Sequence, residues 1–92
     1  MAIELNTTIA RVEGAQSAAV DQDLVILNLA TSHYVALDAI GRRIWELLEK
    51  PWRVEDLCRQ LSLEFDAAPD QIAADVLPFL EQLRGENLAR AV

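Results

Sequence analysis

Histidine and cysteine each occur once in the 92 residues, as His33 and Cys58, so an intrachain disulfide and the usual Cys/His zinc cages are excluded. Cys58 lies between Leu57 and Leu61 in a helical stripe, the setting of a small buried thiol rather than a reactive one. Glycine is scarce too. Gly14, Gly41 and Gly85 stand too far apart to build a phosphate-cradling loop, and neither the P-loop nor the dinucleotide fingerprint is present. Basic side chains are outnumbered 8 to 15, and the formal net charge of −7 repels nucleic acid and anionic membranes at long range. There is no run of about 18 apolar residues that would span a membrane. The opening MAIELNTT lacks the basic-then-apolar order of a signal peptide, so the expected location is the cytoplasm.

What remains is core material. Apolar residues make up 52% of the chain, too many for a disordered segment, and the length suits a single domain over residues 1–92. A chain of this size buries only about 60–65% of the surface that its unfolded form exposes, so the core is modest.

The stretch Ser32 to Lys50 carries the most information. Tyr34, Val35, Ala36 and Leu37 offer apolar atoms to both sides of a strand, which suits one covered on both faces. Beyond Asp38 the period changes. Ile40, Ile44, Leu47 and Leu48 form a helical stripe, and Asp38 is placed to accept from the free N–H groups at the helix start. A strand that turns straight into a helix leaves a groove beside it.

Two further strands precede this one. Thr7 to Val12 alternates weakly, and Leu24 to Leu29 is the strongest strand signal in the chain, the expected central strand. Glu13 to Ser17 between them is turn-prone, and Thr31 and Ser32 supply a loop of about three residues joining Leu24–Leu29 to His33–Leu37 in a hairpin.

Three helices follow. The first runs from Asp38 to about Lys50, where Pro51 stops it. The second, Val54 to Phe65, carries Val54, Leu57, Cys58, Leu61 and Phe65 on one face, with Glu55 and Asp56 at its positive end. The third starts near Pro69, carries Ile72, Val76, Phe79, Leu80 and Leu83 on one face, and ends at Gly85 as a cap. Pro78 interrupts it by removing a bond to the carbonyl of Ala74, and residues 87–92 add a short extended tail. The fold class is therefore α+β, winged helix-turn-helix-like, with a three-stranded antiparallel sheet followed by three helices.

No group in this order looks catalytic. His33 sits in a strand with no Ser or Cys at a motif spacing, and the pairs Asp21/Asp23, Glu46/Glu49 and Glu55/Asp56 fall in loops or on helix surfaces as solvated charge. An acyl carrier would need an Asp-Ser pair opening a helix, and none exists. The expectation is a protein that is not an enzyme, with no metal and no cofactor. The second and third helices invite comparison with a DNA-reading helix-turn-helix. Between Val54 and Leu83, however, Glu55, Asp56, Glu64, Asp66, Asp70, Asp75 and Glu81 face a single base, Arg59, the reverse of what DNA readers carry.

A binding surface is left. If the strand His33–Leu37 lies at a sheet edge, it can accept one more strand from another chain, with the third helix as the far wall. Val76, Leu77, Leu80 and Leu83 are the apolar candidates on that wall. Leu77 is rotated about 100° from Val76 and widens the apolar face beyond one sheet contact.

The residues that carry these features also resemble a known family. LVILNLATSHYVALDAIGRRIWELL, VEDLCRQLSLEF and ADVLPFLEQLRGENL, over roughly Thr8 to Leu88, are similar to the PqqD-like proteins, the recognition elements for ribosomally made and modified peptides. The specific elements are Tyr34-Val35-Ala36-Leu37-Asp38, then Gly41-x-x-Ile44-Trp45-x-Leu47-Leu48, then Asp75-Val76-x-x-Phe79-Leu80-x-x-Leu83. Asp38 stands where members commonly have Asn, and Arg53 where they have a capping Thr, departures that touch helix capping more than binding.

The resemblance implies a non-catalytic adaptor that holds a precursor's leader peptide as an added strand and hands the peptide to a separate leader protease or other modifying enzyme. It implies contacts from His33, Tyr34, Val35, Ala36 and Leu37 on the strand. On the third helix it implies Asp75, Val76, Leu77, Leu80, Leu83 and Arg84. The Trp45 pattern and stand-alone length look most like the proteins of lasso-peptide clusters, with the relative serving pyrroloquinoline quinone synthesis as the runner-up. The competing classes are a winged-helix DNA regulator and a homodimerising scaffold module.

Overall fold

A computed structural model describes residues 2–13, 15–20, 23–28 and 32–92, except for the side chain of Val20. Gly14 of the expected turn, Asp21 of the acidic pair, Leu29 of the central strand and Thr31 of the hairpin loop lie outside the described residues. The elements are β1 (Thr8–Arg11), β2 (Ala15–Val20), β3 (Asp23–Asn28), β4 (His33–Leu37), α1 (Ala39–Leu47), β5 (Trp52–Arg53), α2 (Val54–Phe65), α3 (Pro69–Gly85) and β6 (Ala89–Ala91). The class is α+β as expected, with a three-stranded antiparallel sheet leading into three helices. The winged-helix likeness is loose, because the strands divide between two sheets, ordered β5-β1-β6 and β2-β3-β4.

That division corrects two expectations. Ala15 to Ser17, part of the stretch that reads as turn-prone, begin a strand, Ala15–Val20, paired along its whole length with β3. The Thr7–Val12 segment does form a strand, but in the other sheet, where Ile9 faces both Trp52 and Ala91. β3 is central, as its Leu-Val-Ile-Leu run predicts. Its Leu24 and Ile26 point inward beside Val35 and Leu37 of β4, under α1.

The core joins both sheets to the helices through Ile9, Ile26, Ile44, Leu57, Leu61 and Leu80, none more than 1% exposed. α2 keeps its expected limits and packs on α3. Cys58 is buried, and burial pushes its thiol up from the usual cysteine value, so the bland reading of this residue holds.

Helix ends show how remote parts of the chain set local limits. Asp38 caps α1 by accepting from the Gly41 N–H at 2.8 Å. The helix ends at Leu47, before Lys50, because side chains from elsewhere take up its last carbonyls. Trp52 Nε1 donates to the Leu47 carbonyl at 2.7 Å, while Arg11 donates to that of Trp45 and lays its guanidinium over the Trp45 ring. At α2, Arg53 makes no side-chain cap. The Val54 and Glu55 amides instead donate to the Thr7 and Leu5 carbonyls at 2.8 and 2.9 Å, which removes the need for a capping Thr.

α3 also closes differently from expectation. Gly85 is its last helical residue, and the left-handed position falls to Asn87, with φ 58°. The Asn87 amide donates to the Arg84 carbonyl and the Leu88 amide to that of Leu83, the paired bonds of a left-handed cap, with Leu83 and Leu88 both buried. Pro78 lies on the exposed side of α3, so the missing bond is lost where water can reach the Ala74 carbonyl.

One carboxylate fastens the N-terminal segment to α3. Glu81 accepts from Arg84 Nη2 at 2.7 Å and from the Ile3 N–H at 2.6 Å. The Arg84 bond first, and then the Ile3 bond, hold its carboxyl below the usual glutamate value. Glu64 is held down similarly, chiefly by its hydrogen bond from Arg43. A carboxyl depressed in the folded state adds stability above its unfolded value, and that stability drains away as pH falls through the lower folded value. Melting temperature followed from about pH 7 to about pH 3 should therefore fall for the wild type and fall less for Glu81→Gln, which starts lower. Parallel profiles would remove Glu81 from this account.

Candidate functional site

β4 is the last strand of its sheet, paired with β3 on one side and with nothing among the described residues on the other. In an antiparallel pair, alternate residues spend both backbone groups on the neighbouring strand, and the rest direct theirs outward. β4 therefore offers a row of N–H and C=O groups along its open side. Only one of its faces is covered, contrary to the two-sided burial that its composition suggests. Val35 and Leu37 are buried, while Ala36 is exposed and Tyr34 is 70% exposed on the outer face.

α3 lies beside this edge, held at both ends. At one end Asn28 Nδ2 donates to the Glu86 carbonyl at 3.0 Å, and His33 Nδ1 meets Glu86 Oε2 at 3.0 Å. At the other, the Phe79 ring closes on Gly41, where an added Cβ would lie 3.3 Å from the ring tip and 3.2 Å from Asp38 Oδ1. At this second contact a groove of about 360 Å³ lies between the start of α1 and α3, just past the Leu37 end of β4, lined by Asp38, Ile40, Gly41, Ile44, Asp75 and Phe79. Its walls combine apolar carbons with two carboxylates, and Glu86 adds a third acid at the far end of the strand.

The expected site residues divide into three groups. His33 to Leu37 form the edge, and Asp75 lines the groove. Val76, Leu80 and Leu83 are at most 1% exposed, so they hold α3 in place from the core rather than lining its wall. Leu77 is half-buried, and it lies on the α3 flank that carries Glu81 and Arg84, next to the N-terminal segment. Arg84 lines a separate cavity of about 460 Å³ there, with Ile3 and Arg90.

The residue that the sequence reading left in the core is Phe79. Asp75, Phe79, Gln82 and Glu86 fall at i, i+4, i+7 and i+11, a second stripe beside the core stripe. That spacing was legible, but the register of α3 against β4 was not.

Among the described residues no group of three His, Cys, Asp or Glu side chains could hold a metal ion. No helix is long and apolar enough to cross a membrane among those residues. Arg59, the one base between Val54 and Leu83, is turned to Asp56 at 3.3 Å.

Comparison with known proteins identifies the family. The family described as coenzyme PQQ synthesis protein D (PqqD) matches residues 23–89, from the start of β3 to the start of β6. A solved structure described as TbiB1 in complex with the TbiA(beta) leader peptide is similar at 32% identity and a TM-score of 0.76, covering 88% of this chain and 94% of that one. A search of curated proteins finds no match. A family match over well more than half of the chain, joined to a solved relative of the same fold, places the chain in the PqqD family.

Proposed function

We propose that this protein binds the leader segment of a ribosomally made precursor peptide as an added strand on β4, and presents the precursor to a processing enzyme. The observation that carries the reading is the open β4 edge, which runs at its Leu37 end into a groove between α1 and α3. The relative of known structure is described in complex with a leader peptide, which supports the same class of ligand here. Main-chain bonds to the edge supply register, and alternate side chains of the guest fall into the groove between Phe79 and Ile40 or onto the outer face beside Tyr34.

In this reading His33 to Leu37 contact the leader through their backbone, and Asp75 and Phe79 contact it through side chains. Val76, Leu80 and Leu83 act by fixing α3, and Leu77 and Arg84 lie behind the wall. The protein itself is non-catalytic and works in the cytoplasm. The partner enzyme is a separate leader protease of the lasso-peptide type, or another modifying enzyme.

Hydrogen exchange tests strand addition directly. A synthetic leader peptide, with the TbiA(beta) leader of the similar structure as the first probe, should slow exchange of alternate β4 amides and leave those of β2 unchanged. Slowing at β2, or at neither strand, would end the proposal.

A further inference from the structure

The sheet that carries β4 has a second free edge. β2 is paired with β3 from Ala15↔Asn28 to Val20↔Asp23 with no bulge, and its other side is unpaired among the described residues. Edge strands are ordinarily protected from other chains by a lysine, a proline, a bulge or a covering helix. β2, Ala-Gln-Ser-Ala-Ala-Val, has neither lysine nor proline. Ser17 and Ala19 stand opposite Ile26 and Leu24 on the helix-covered face, yet they are exposed, so the helices stop short of this edge.

The two edges therefore suit different guests. β4 has a side-chain groove beside it, which can read a sequence. β2 has no helix beside it, only an open hollow of about 330 Å³ over Gln16, Ala18, Val25, Leu27 and Tyr34 on the outer face, and no charge along its length, so a flat, uncharged strand with small side chains matches it. The strand that fits this description is β2 itself.

We propose that two copies of this chain associate through β2, antiparallel about a two-fold axis, to form one six-stranded sheet. Opposed residues must share a face, so one residue sits at the axis; with Ala18 there, Ala18 meets its own copy and Ser17 stands opposite Ala19. The pairing places no like charges in direct opposition, although each chain carries a net charge of −7. It also extends the outward row Ala18, Val25, Ala36 into the second copy. The two β4 edges remain free at opposite ends, so the dimer presents two strand-accepting edges at once.

A single strand pair is smaller than the roughly 1,200 Å² at which standard interfaces begin, so the association is weak and reversible. Because the net charges repel, added salt strengthens it by screening. Sedimentation equilibrium of the full chain up to about 1 mM, at low and high salt, should show a rise toward twice the monomer mass, larger at high salt. Ala18→Lys should abolish the rise, and mixing Ala18→Lys with Ala18→Glu should restore it. Wild-type amide exchange should slow with concentration at β2 and not at β4, a readout that needs no variant to fold. A monomer at every concentration would overturn the proposal. So would a dimer unaffected by Ala18→Lys, or protection confined to β4.

Discussion

Leu80→Ala is expected to lower stability by about 3 kcal/mol, because the side chain is 0% exposed and its truncation loses buried apolar contact and leaves a cavity in the core. A domain of this size has roughly 5–15 kcal/mol to lose, and each kilocalorie moves its melting temperature by about 4–8 °C. The melting temperature should therefore fall by roughly 12–24 °C. Leu80 is on the stripe that presses α3 onto the rest of the molecule, so the loss should also loosen the wall of the groove. Leader affinity and stability should fall together in this variant. Thermal melts alongside a fluorescence titration check this, and a melt within a few degrees of wild type would contradict the assigned core.

The second large effect concerns binding alone. Phe79→Ala should weaken leader binding by about 30-fold, the consequence of about 2 kcal/mol for truncating a central aromatic contact. Phe79 is only half-buried and its ring tip rests on Gly41, so the melting temperature should drop less than for Leu80→Ala. Leu77→Ala, on the opposite flank of the same helix, is the matched control and should leave affinity nearly unchanged. Equal loss in the two variants would mean that the leader reaches the other side of α3. No loss in either would remove the helix wall from the site.

The contrast between Phe79 and Leu77 shows what a single sequence reveals here. Helical period separates the stripe of Val76, Leu80 and Leu83 from its neighbours without ambiguity, and the structure buries all three. Which flank then faces the strand depends on contacts such as His33 with Glu86, more than fifty positions apart in the chain. Nothing local encodes those. Leu77 looked telling because it widens the apolar face, yet the surface that it widens meets the N-terminal segment.

The strands divide the same way. β3 and β4 are rich in branched and aromatic residues and were legible, as was the Asp38 cap between β4 and α1. β2 is not, because Ala, Gln and Ser carry little strand preference and only pairing with β3 keeps them extended. β5 is two residues long, too short for any period to show. The early end of α1 was hidden for a related reason, since Arg11 and Trp52 are fixed beside it by the second sheet.

That second sheet bears on the order of assembly. β1, near the start of the chain, must find β6 near its end, whereas β2, β3 and β4 meet through short connections. Contacts between remote segments bear a larger loop-closure cost and form late. The hairpins of β2, β3 and β4 can therefore close before Ala89–Ala91 reach β1 and shut the clasp on Ile9. The open edge of β4 thus takes shape ahead of the sheet that braces the other side of the molecule.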